Sequence, residues 1–380
     1  MRPWTVEATR HESYEIRPSE NVLAPGNPDL RDAARLRTGA HRLVVVDVRI
    51  DELRGAAIRD YFHHWGVRPE FLVLDTDERH KNADTLFTVI DAADRAGLNR
   101  RADPIVAIGG GVLTDIVGLA ASLFRRGIPF VRVPTTLVGM VDAAVGVKTA
   151  INYQSHKNRL GSYFPASVTL LDQGFLRTLP TRHIVNGLAE IIKMAIIRDR
   201  TLFELMFSHA DRIVRLMPQP GVGQRVIQRA VDGMLAELSP NLWEHELRRL
   251  VDFGHTFSPA IELSTEPPLL HGEAVAIDMA LCCLLARERG LLSRTDALRA
   301  LNLMHGIGLP LSHPGVTTDL LLRGFADAVR HRDGHQHLPL PVGLGESVFV
   351  EDVTPAEIRR AYRRSLTISD LGEPAWRAAI

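Results

Sequence analysis

The chain is predicted to be an α/β protein in its first half and mostly α-helical in its second. From Tyr14 to about Leu171, short apolar runs alternate with longer segments able to form helices, which is the pattern of a parallel sheet. After Leu179 and Pro180, apolar residues instead recur at helical spacing over long stretches. A turn of three glycines follows one of the apolar runs and leads into a segment of helical character.

In chain order, the predicted strands of the first half are Leu43–Val46, Phe71–Leu74, Ile105–Ile108, Phe130–Val133 and Val168–Leu171. The predicted helical segments of the second half include Leu202–Leu216, Val226–Leu238 and Ala274–Arg289, with a loop at Pro218–Gly223 and an irregular end at Ser369–Ile380. The change in pattern predicts an α/β domain of residues 1–175 and an α-helical domain of residues 176–380. The ligand site is expected in the cleft between them.

The composition leaves a small-molecule substrate as the default. Lysine plus arginine equals aspartate plus glutamate, 45 against 45, so no net charge attracts nucleic acid or a membrane surface. No apolar run reaches the roughly 18 to 20 residues that span a bilayer, and the first residues lack a secretory apolar core. Cys282 and Cys283 are adjacent in an apolar run, where a disulfide would be strained, so we expect buried thiols in the cytoplasm.

The glycine turn is the first candidate for ligand binding. Gly109–Gly111 follows a predicted strand, and such a turn lets backbone N–H groups approach a pyrophosphate at a helix N-terminus, as in Rossmann-like domains. Asp47 closes an earlier strand, where a carboxylate can hold a ribose hydroxyl. The residues alone also allow a tight reversal at the glycines and an ordinary cap at Asp47.

The candidate metal ligands are Glu190, His255 and His271. One carboxylate and two imidazoles suit a divalent ion of the zinc type, with positions left open for substrate oxygens. A histidine beside an apolar segment is equally compatible with a packed or capping role. The spacing of the three residues therefore leaves both interpretations open.

An ordered series of motifs identifies the chain with a known family. They are Gly109–Gly111, Arg125–Gly127, Pro134–Thr136, Asp142, Lys148–Asn152, His156–Arg159 and Asn186–Lys193. This series resembles the sugar phosphate cyclase superfamily, whose founding member is 3-dehydroquinate synthase. The resemblance covers roughly Tyr14 to Val350 and implies a dehydroquinate synthase-like fold, NAD, one divalent metal ion (zinc or cobalt) and a homodimer.

The resemblance also assigns roles to individual positions. The metal ligands are Glu190, His255 and His271, and the cofactor-binding positions are Asp47, Glu78, Lys81, Gly110, Gly111, Asp115, Thr135, Thr136, Lys157, Phe175 and Thr178. The implied catalytic set is Lys148, Lys193, Asp142, Asp252, His331, Arg126 and Asn158. Lysines and an arginine suit a phosphate ester and a developing oxyanion, although a solvated basic surface explains these residues without the motif order.

Several positions depart from the 3-dehydroquinate synthase pattern. Met234 and Asp252 stand where those enzymes carry a lysine and an asparagine, and Pro259 replaces a histidine able to contact phosphate. An apolar side chain and an anion fit a substrate carboxylate poorly, because two anions at ~4 Å repel by roughly 1 kcal/mol even in water-like screening. Asp252 instead suits the hydroxyls of a sugar.

These departures resemble the branch that cyclises sedoheptulose 7-phosphate, above all the 2-epi-5-epi-valiolone synthases. His156–Gly161 and His255–Pro259 are the segments that carry this resemblance. Closely related alternatives are synthases of 2-epi-valiolone or desmethyl-4-deoxygadusol, and less closely 3-dehydroquinate synthase. A metal-dependent, nicotinamide-linked polyol dehydrogenase is the alternative from another enzyme class.

Overall fold

The computed structural model describes residues 3–9, 11–154 and 156–367, and the predicted irregular end at Ser369–Ile380 lies outside them. The strands in the described part of the chain are β1 (Glu15–Pro18), β2 (His41–Asp47), β3 (Arg68–Leu74), β4 (Ile105–Gly109), β5 (Phe130–Pro134), β6 (Lys148–Tyr153), β7 (His156–Tyr163), β8 (Val168–Leu171), β9 (Leu338–Gly343) and β10 (Glu346–Val350).

The helices of the first half are α1 (Asp29–Ala33), α2 (Val48–His64), α3 (Ala83–Arg95) and α4 (Gly111–Leu123). Those of the second half are α5 (Thr181–Ile197), α6 (Arg200–Phe207), α7 (Ile213–Leu216), α8 (Val222–Leu238), α9 (Ser258–Ser264), α10 (His271–Glu288), α11 (Arg294–Gly306), α12 (Thr318–His331) and α13 (Pro355–Ser365). No helix among the described residues is long and apolar enough to cross a membrane.

A parallel sheet organises the first half, as predicted. Its strand order is β1-β8-β5-β4-β2-β3, and every neighbouring pair is parallel. The chain moves outward from β2 to β3 and then returns to β4, so the order reverses between β2 and β4. Ligands of open parallel sheets bind outside the carboxyl ends of the strands at such a reversal. Asp47 and the glycine turn lie at this point.

Two apolar cores cover the faces of the sheet because side chains alternate along each strand. Val44 and Val46 point into one core, and Leu43 and Val45 point into the other. The first core continues into the helical half through Leu137 and the π-helical segment Gly139–Ala143, which packs against α5 and α8. The two halves therefore share one continuous apolar core.

The helical half differs from the prediction at one segment. Leu202–Leu216 does not form one helix, because α6 ends at Phe207 and α7 begins only at Ile213. The hydroxyl of Ser208 donates to the carbonyl of Leu205, and the imidazole of His209 contacts the same carbonyl. Side chains that bond the preceding turn compete with continuation of a helix. The Pro218–Gly223 loop is also shorter than predicted, since α8 begins at Val222.

Two antiparallel hairpins do not appear in the prediction. β6 and β7 form one of them between β5 and β8, and β9 and β10 form the other within the helical half. Most side chains of β7 are exposed, so the strand lacks the apolar alternation that marks a half-buried strand. The β6–β7 hairpin carries Lys148, Lys157 and Asn158 and therefore matters for the site.

Candidate active site

Three predicted ligands converge from distant parts of the sequence and form the metal cluster, Glu190, His255 and His271. One ligand atom from each lies within 4.8 Å of the other two. Oε1 of Glu190 is 3.1 Å from Nε2 of His271 and 3.8 Å from Nε2 of His255. Oε2 of Glu190 lies 2.5 Å from Nζ of Lys193, one turn further along α5.

Close helix packing sets the positions of these side chains. Gly272, next to His271, approaches α5 so closely that a Cβ there would lie 2.0 Å from the carbonyl oxygen of Asn186. The backbone N–H of Gly272 also donates to Oδ1 of Asn186 at 2.6 Å. Gly254 has a φ of 77° and abuts α10, which places His255 beside the start of that helix. Gly254, Gly272 and Asn186 therefore serve the close packing of α5 and α10.

A buried carboxylate supports the loop that carries His255. Asp278 lies in the apolar middle of α10, and its Oδ2 accepts hydrogen bonds from the backbone N–H groups of Phe257 and Ser258. These bonds satisfy backbone N–H groups at the start of α9. Burial raises the pKa of Asp278 to about 6, against the opposing effect of those backbone donors.

The pKa of each residue in the metal cluster depends on the charges of its neighbours. Burial raises the pKa of Glu190, but Lys193 and the two imidazoles outweigh burial and hold it well below its usual value. Burial and then Lys193 lower the pKa of His255 to about 4. Burial alone would lower the pKa of His271, yet hydrogen bonds to Glu190 and Glu262 raise it to about 10.

The donor set fits a divalent ion. One carboxylate and two imidazoles are ligand types that zinc and similar ions prefer, and a fully buried Glu190 supplies a negative charge between the two rings. Because a coordinating histidine must be neutral, a metal ion that binds here displaces a proton from His271.

We call the carboxyl edge of the sheet the cofactor edge. Gly110 caps α4 without a side chain, so the first N–H groups of α4 face outward at the end of β4. Asp47 caps α2 and accepts a hydrogen bond from Thr76. Thr135 donates its backbone N–H to Gly109, and Oγ1 of Thr136 accepts from Gly139.

Polar contacts tie the β6–β7 hairpin to the cofactor edge. Nζ of Lys81 lies 2.7 Å from Oδ2 of Asp115 and 2.6 Å from Oδ1 of Asn158. Glu78 lies 3.2 Å from Nζ of Lys157. Phe175 and Thr178 follow β8 on a 3₁₀ turn, where the phenyl ring is buried and the threonine is exposed.

A second charged group surrounds Asp252, and we call it the Asp252 network. Nη2 of Arg249 lies 2.7 Å from Oδ1 of Asp252, and Nε of Arg332 lies 3.4 Å from Oδ2. Glu244 pairs with both Arg249 and Lys148. Burial opposes ionisation of Asp252, but the two arginines outweigh burial and lower its pKa.

The Asp252 network corrects one step of the specificity argument. Asp252 was expected to repel a substrate carboxylate, but two arginines offset its charge. Charge repulsion at Asp252 is therefore weaker than predicted. Met234 is buried in the apolar core of the helical half, where it offers no cation to an acidic substrate.

Asp142 interacts electrostatically with Glu190 of the metal cluster, whereas the exposed side chains of Arg126 and His331 stay apart from it. Burial and the charge of Glu190 raise the pKa of Asp142, while Lys193 opposes them. Arg126 lies between α4 and β5 and is exposed at the opposite edge of the sheet from the glycine turn. His331 is exposed at the end of α12, and the next residue, Arg332, reaches Asp252 instead.

Sequence reasoning missed four charged residues of the site, namely Glu244, Arg249, Glu262 and Arg332. Arg249 lies three residues before Asp252, a spacing that permits a local pair. Glu262 lies seven residues after His255 and contacts His271 across the fold. Only the first of these contacts has a local signal in the sequence.

Comparison with known proteins identifies relatives over most of the chain. Residues 71–186 match the family described as 3-dehydroquinate synthase N-terminal, and residues 187–328 match 3-dehydroquinate synthase C-terminal. A 2-epi-5-epi-valiolone synthase of Streptomyces hygroscopicus subsp. jinggangensis (strain 5008) is 50% identical over 99% of this chain and 92% of its own length. A 3-dehydroquinate synthase of Synechococcus sp. (strain CC9605) is 34% identical over 94% and 96%.

A solved structure shares the fold almost throughout. It is a 2-epi-5-epi-valiolone synthase from Streptomyces hygroscopicus subsp. jinggangensis 5008 with NAD+ and Zn2+ bound. The match has a TM-score of 0.92 at 50% identity and covers 96% of this chain and 99% of the solved one. The predicted fold class is therefore confirmed.

Proposed function

Since the chain belongs to the 3-dehydroquinate synthase family, we propose that it converts sedoheptulose 7-phosphate into 2-epi-5-epi-valiolone and releases inorganic phosphate. The observation that carries this proposal is the convergence of one carboxylate and two imidazoles beside a cofactor edge, in a chain half identical to such a synthase over its length. The reaction makes the protein a cyclising carbon–oxygen lyase. Its product belongs to C7-cyclitol biosynthesis, in the cytoplasm.

NAD and a divalent metal ion, zinc or cobalt, are the cofactors of this proposal. Glu190, His255 and His271 hold the ion, and the cofactor edge holds NAD. When bound, NAD transiently oxidises a ring hydroxyl and returns the hydride, while the metal ion polarises neighbouring oxygens. The NAD+ and Zn2+ of the solved relative support this assignment.

Two lysines stabilise the negative charge that develops as phosphate leaves. Lys193 is fully buried between Glu190 and Asp142, whose charges outweigh burial and raise its pKa. It is therefore a fixed cation at the cleft. Lys148 pairs with Glu244. Because its side chain is more than half exposed, it can turn toward a substrate oxygen.

The phosphate group is held by Asn158 and by Arg126. Asn158 already faces Lys81 across the cofactor edge. Arg126 follows α4 at the far edge of the sheet, so within one chain it cannot share a site with Asn158. We therefore include a homodimer in the proposal, with Arg126 supplied by the second copy.

Three further residues orient hydroxyls or relay protons. Asp142 carries a raised pKa beside Lys193, which suits a group that exchanges a proton. Asp252 is held ionised by its arginines and accepts hydrogen bonds from sugar hydroxyls. His331 adjoins Arg332 at the rim and relays protons to solvent. After phosphate has left and the hydride has returned, the hemiketal C–O bond breaks and opens the ring, and an intramolecular aldol addition forms the C–C bond of the cyclitol.

The test is to supply purified protein with sedoheptulose 7-phosphate, NAD and a divalent ion. We expect stoichiometric release of inorganic phosphate, no accumulation of NADH, and 2-epi-5-epi-valiolone as the product identified by NMR. A product of different stereochemistry, or desmethyl-4-deoxygadusol, would refute the product assignment while the cyclase chemistry stands.

Two control reactions separate the remaining alternatives. Net formation of NADH from a polyol without phosphate release would identify a dehydrogenase. Faster turnover of the substrate of 3-dehydroquinate synthase than of sedoheptulose 7-phosphate would identify a 3-dehydroquinate synthase. We expect neither result, because the chain is more similar to the 2-epi-5-epi-valiolone synthase than to the 3-dehydroquinate synthase, 50% against 34% identity.

A further inference from the structure

Glu262 of α9 touches the metal cluster from outside. One of its oxygens, Oε2, lies 3.5 Å from Nδ1 of His271, on the side of the ring away from Glu190. Its other oxygen, Oε1, pairs with Nζ of Lys157 on the β6–β7 hairpin. The side chain is largely buried, at 11% exposure. A single carboxylate thus joins a metal ligand to a cation of the opposite half of the protein.

His255 and His271 have different hydrogen-bond acceptors at Nδ1. A histidine coordinates through one nitrogen only if the other nitrogen keeps its proton, so an acceptor on the far side fixes the tautomer and the ring plane. For His255 that acceptor is the backbone carbonyl of Phe253, 3.2 Å from Nδ1. For His271 the only such acceptor among the described residues is the Glu262 carboxylate.

We propose that Glu262 is a positioning residue that holds the His271 ring with Nε2 directed at the metal ion and anchors Lys157 at the cofactor edge. The inference rests on the proposed function, because it assumes that the metal cluster binds a divalent ion. Lys157 also contacts Glu78, which in turn accepts a hydrogen bond from Asn152. Because Glu262 contacts both side chains, its removal loosens both His271 and Lys157.

Metal affinity, measured by competition with a chromophoric zinc chelator, tests the proposal without any reliance on turnover. Outer-shell partners of metal ligands contribute roughly 10- to 100-fold to affinity. We expect Glu262→Ala to weaken zinc binding by about that factor. Glu262→Gln should lose less, because its amide oxygen can still accept the Nδ1 proton of His271. The visible spectrum of the cobalt-loaded protein should shift in Glu262→Ala.

Glu357→Gln is the matched control. Glu357 is similarly buried, at 15% exposure, and pairs with Arg289 just beyond the far end of α10. That helix has 18 residues, so the pair lies about 27 Å from His271. Zinc affinity and the cobalt spectrum should match those of the unaltered protein in this variant.

The possible outcomes are distinguishable. Unchanged zinc affinity in Glu262→Ala would overturn the inference, and if that variant does not fold, unchanged zinc affinity in Glu262→Leu, which also lacks an acceptor, would do the same. Failure of the unaltered protein to bind zinc would instead overturn the metal site of the proposed function. NAD binding, measured separately by protein fluorescence, should also weaken in Glu262→Ala because Lys157 then keeps only its contact with Glu78.

Discussion

The cofactor edge and the metal cluster are linked through Lys157 and Glu262 but are built differently. At the cofactor edge, backbone groups at the end of β4 and the start of α4 face outward, and the topology of the sheet places them there. At the metal cluster, three side chains from α5, the loop before α9 and the start of α10 converge across 82 positions of sequence, from residue 190 to residue 271. The first region depends on local backbone geometry and the second on tertiary packing.

This difference predicts how the two regions respond to mutation. A small change of shape at the cofactor edge should weaken one ligand and leave the other in place. Loss of a buried charge at the metal cluster should affect both metal binding and folding, because each charge there compensates another.

The largest effect is expected for Glu190→Ala. Zinc affinity should fall by more than about 100-fold, beyond the range of an outer-shell change. Lys193 would lose its 2.5 Å partner in a buried site, which should reduce the free energy of unfolding by about 3–5 kcal/mol. Metal analysis and urea unfolding measure the two effects. Retention of stoichiometric zinc would contradict the assignment of Glu190 as a ligand.

Asp252→Asn should lower kcat/KM for sedoheptulose 7-phosphate by roughly 10- to 100-fold, which corresponds to one hydrogen bond to a charged group. Arg249 and Arg332 would lose the carboxylate that they share. The contacts within the metal cluster would be unchanged. Phosphate-release kinetics measure the change, with zinc content as the internal reference. The exposed Asp327→Asn serves as control. Equal kinetics in both variants would remove Asp252 from the mechanism.

At the cofactor edge, Gly111→Ala should raise the KM for NAD by about tenfold, equivalent to ~1.4 kcal/mol. The added methyl group would lie 3.2 Å from Cβ of Ala143, so the start of α4 must shift slightly. Zinc content should stay unchanged. Gly343→Ala is the control, since nothing lies within 4 Å of a Cβ there. Loss of zinc from Gly111→Ala would show that the two regions are not separable.

The smallest effect concerns the support of the His255 loop. The pKa of Asp278 is raised from 3.8 to about 6, so the folded state favours its protonated form. Its contribution to stability is therefore full below about pH 4 and is lost as the pH rises through about 6. Between pH 4 and 5, the free energy of unfolding of the unaltered protein should fall by ~1 kcal/mol relative to Asp278→Asn. Parallel pH profiles of the two proteins would contradict this interpretation.

The sequence predicts the sheet well because each of its central strands is a continuous apolar run that needs no knowledge of its neighbours. Val44 and Ile108 belong to such runs and lie in the sheet core. The β6–β7 hairpin was not predicted, since β7 is polar and exposed and its pairing partner alone defines it. A strand of that kind carries no apolar period.

The candidate site follows a similar division. The metal cluster was predicted only through the family resemblance, because no local spacing connects Glu190 with His255. Arg332 and Glu262 were missed because each meets its partner only through the packing of helices that are distant in sequence. Asp278 does leave a signal, since it is a single carboxylate in the apolar middle of a helix.

The shared apolar core has a consequence for synthesis of the chain. The ribosome synthesises the sheet and Leu137 before α5 and α8, which later cover the segment that begins at Leu137. A nascent polypeptide that stops near residue 180 therefore exposes Leu137, Met140 and Val141 to water. Chaperone demand should peak at that length, and separate expression of the first half should yield aggregates rather than a soluble fragment.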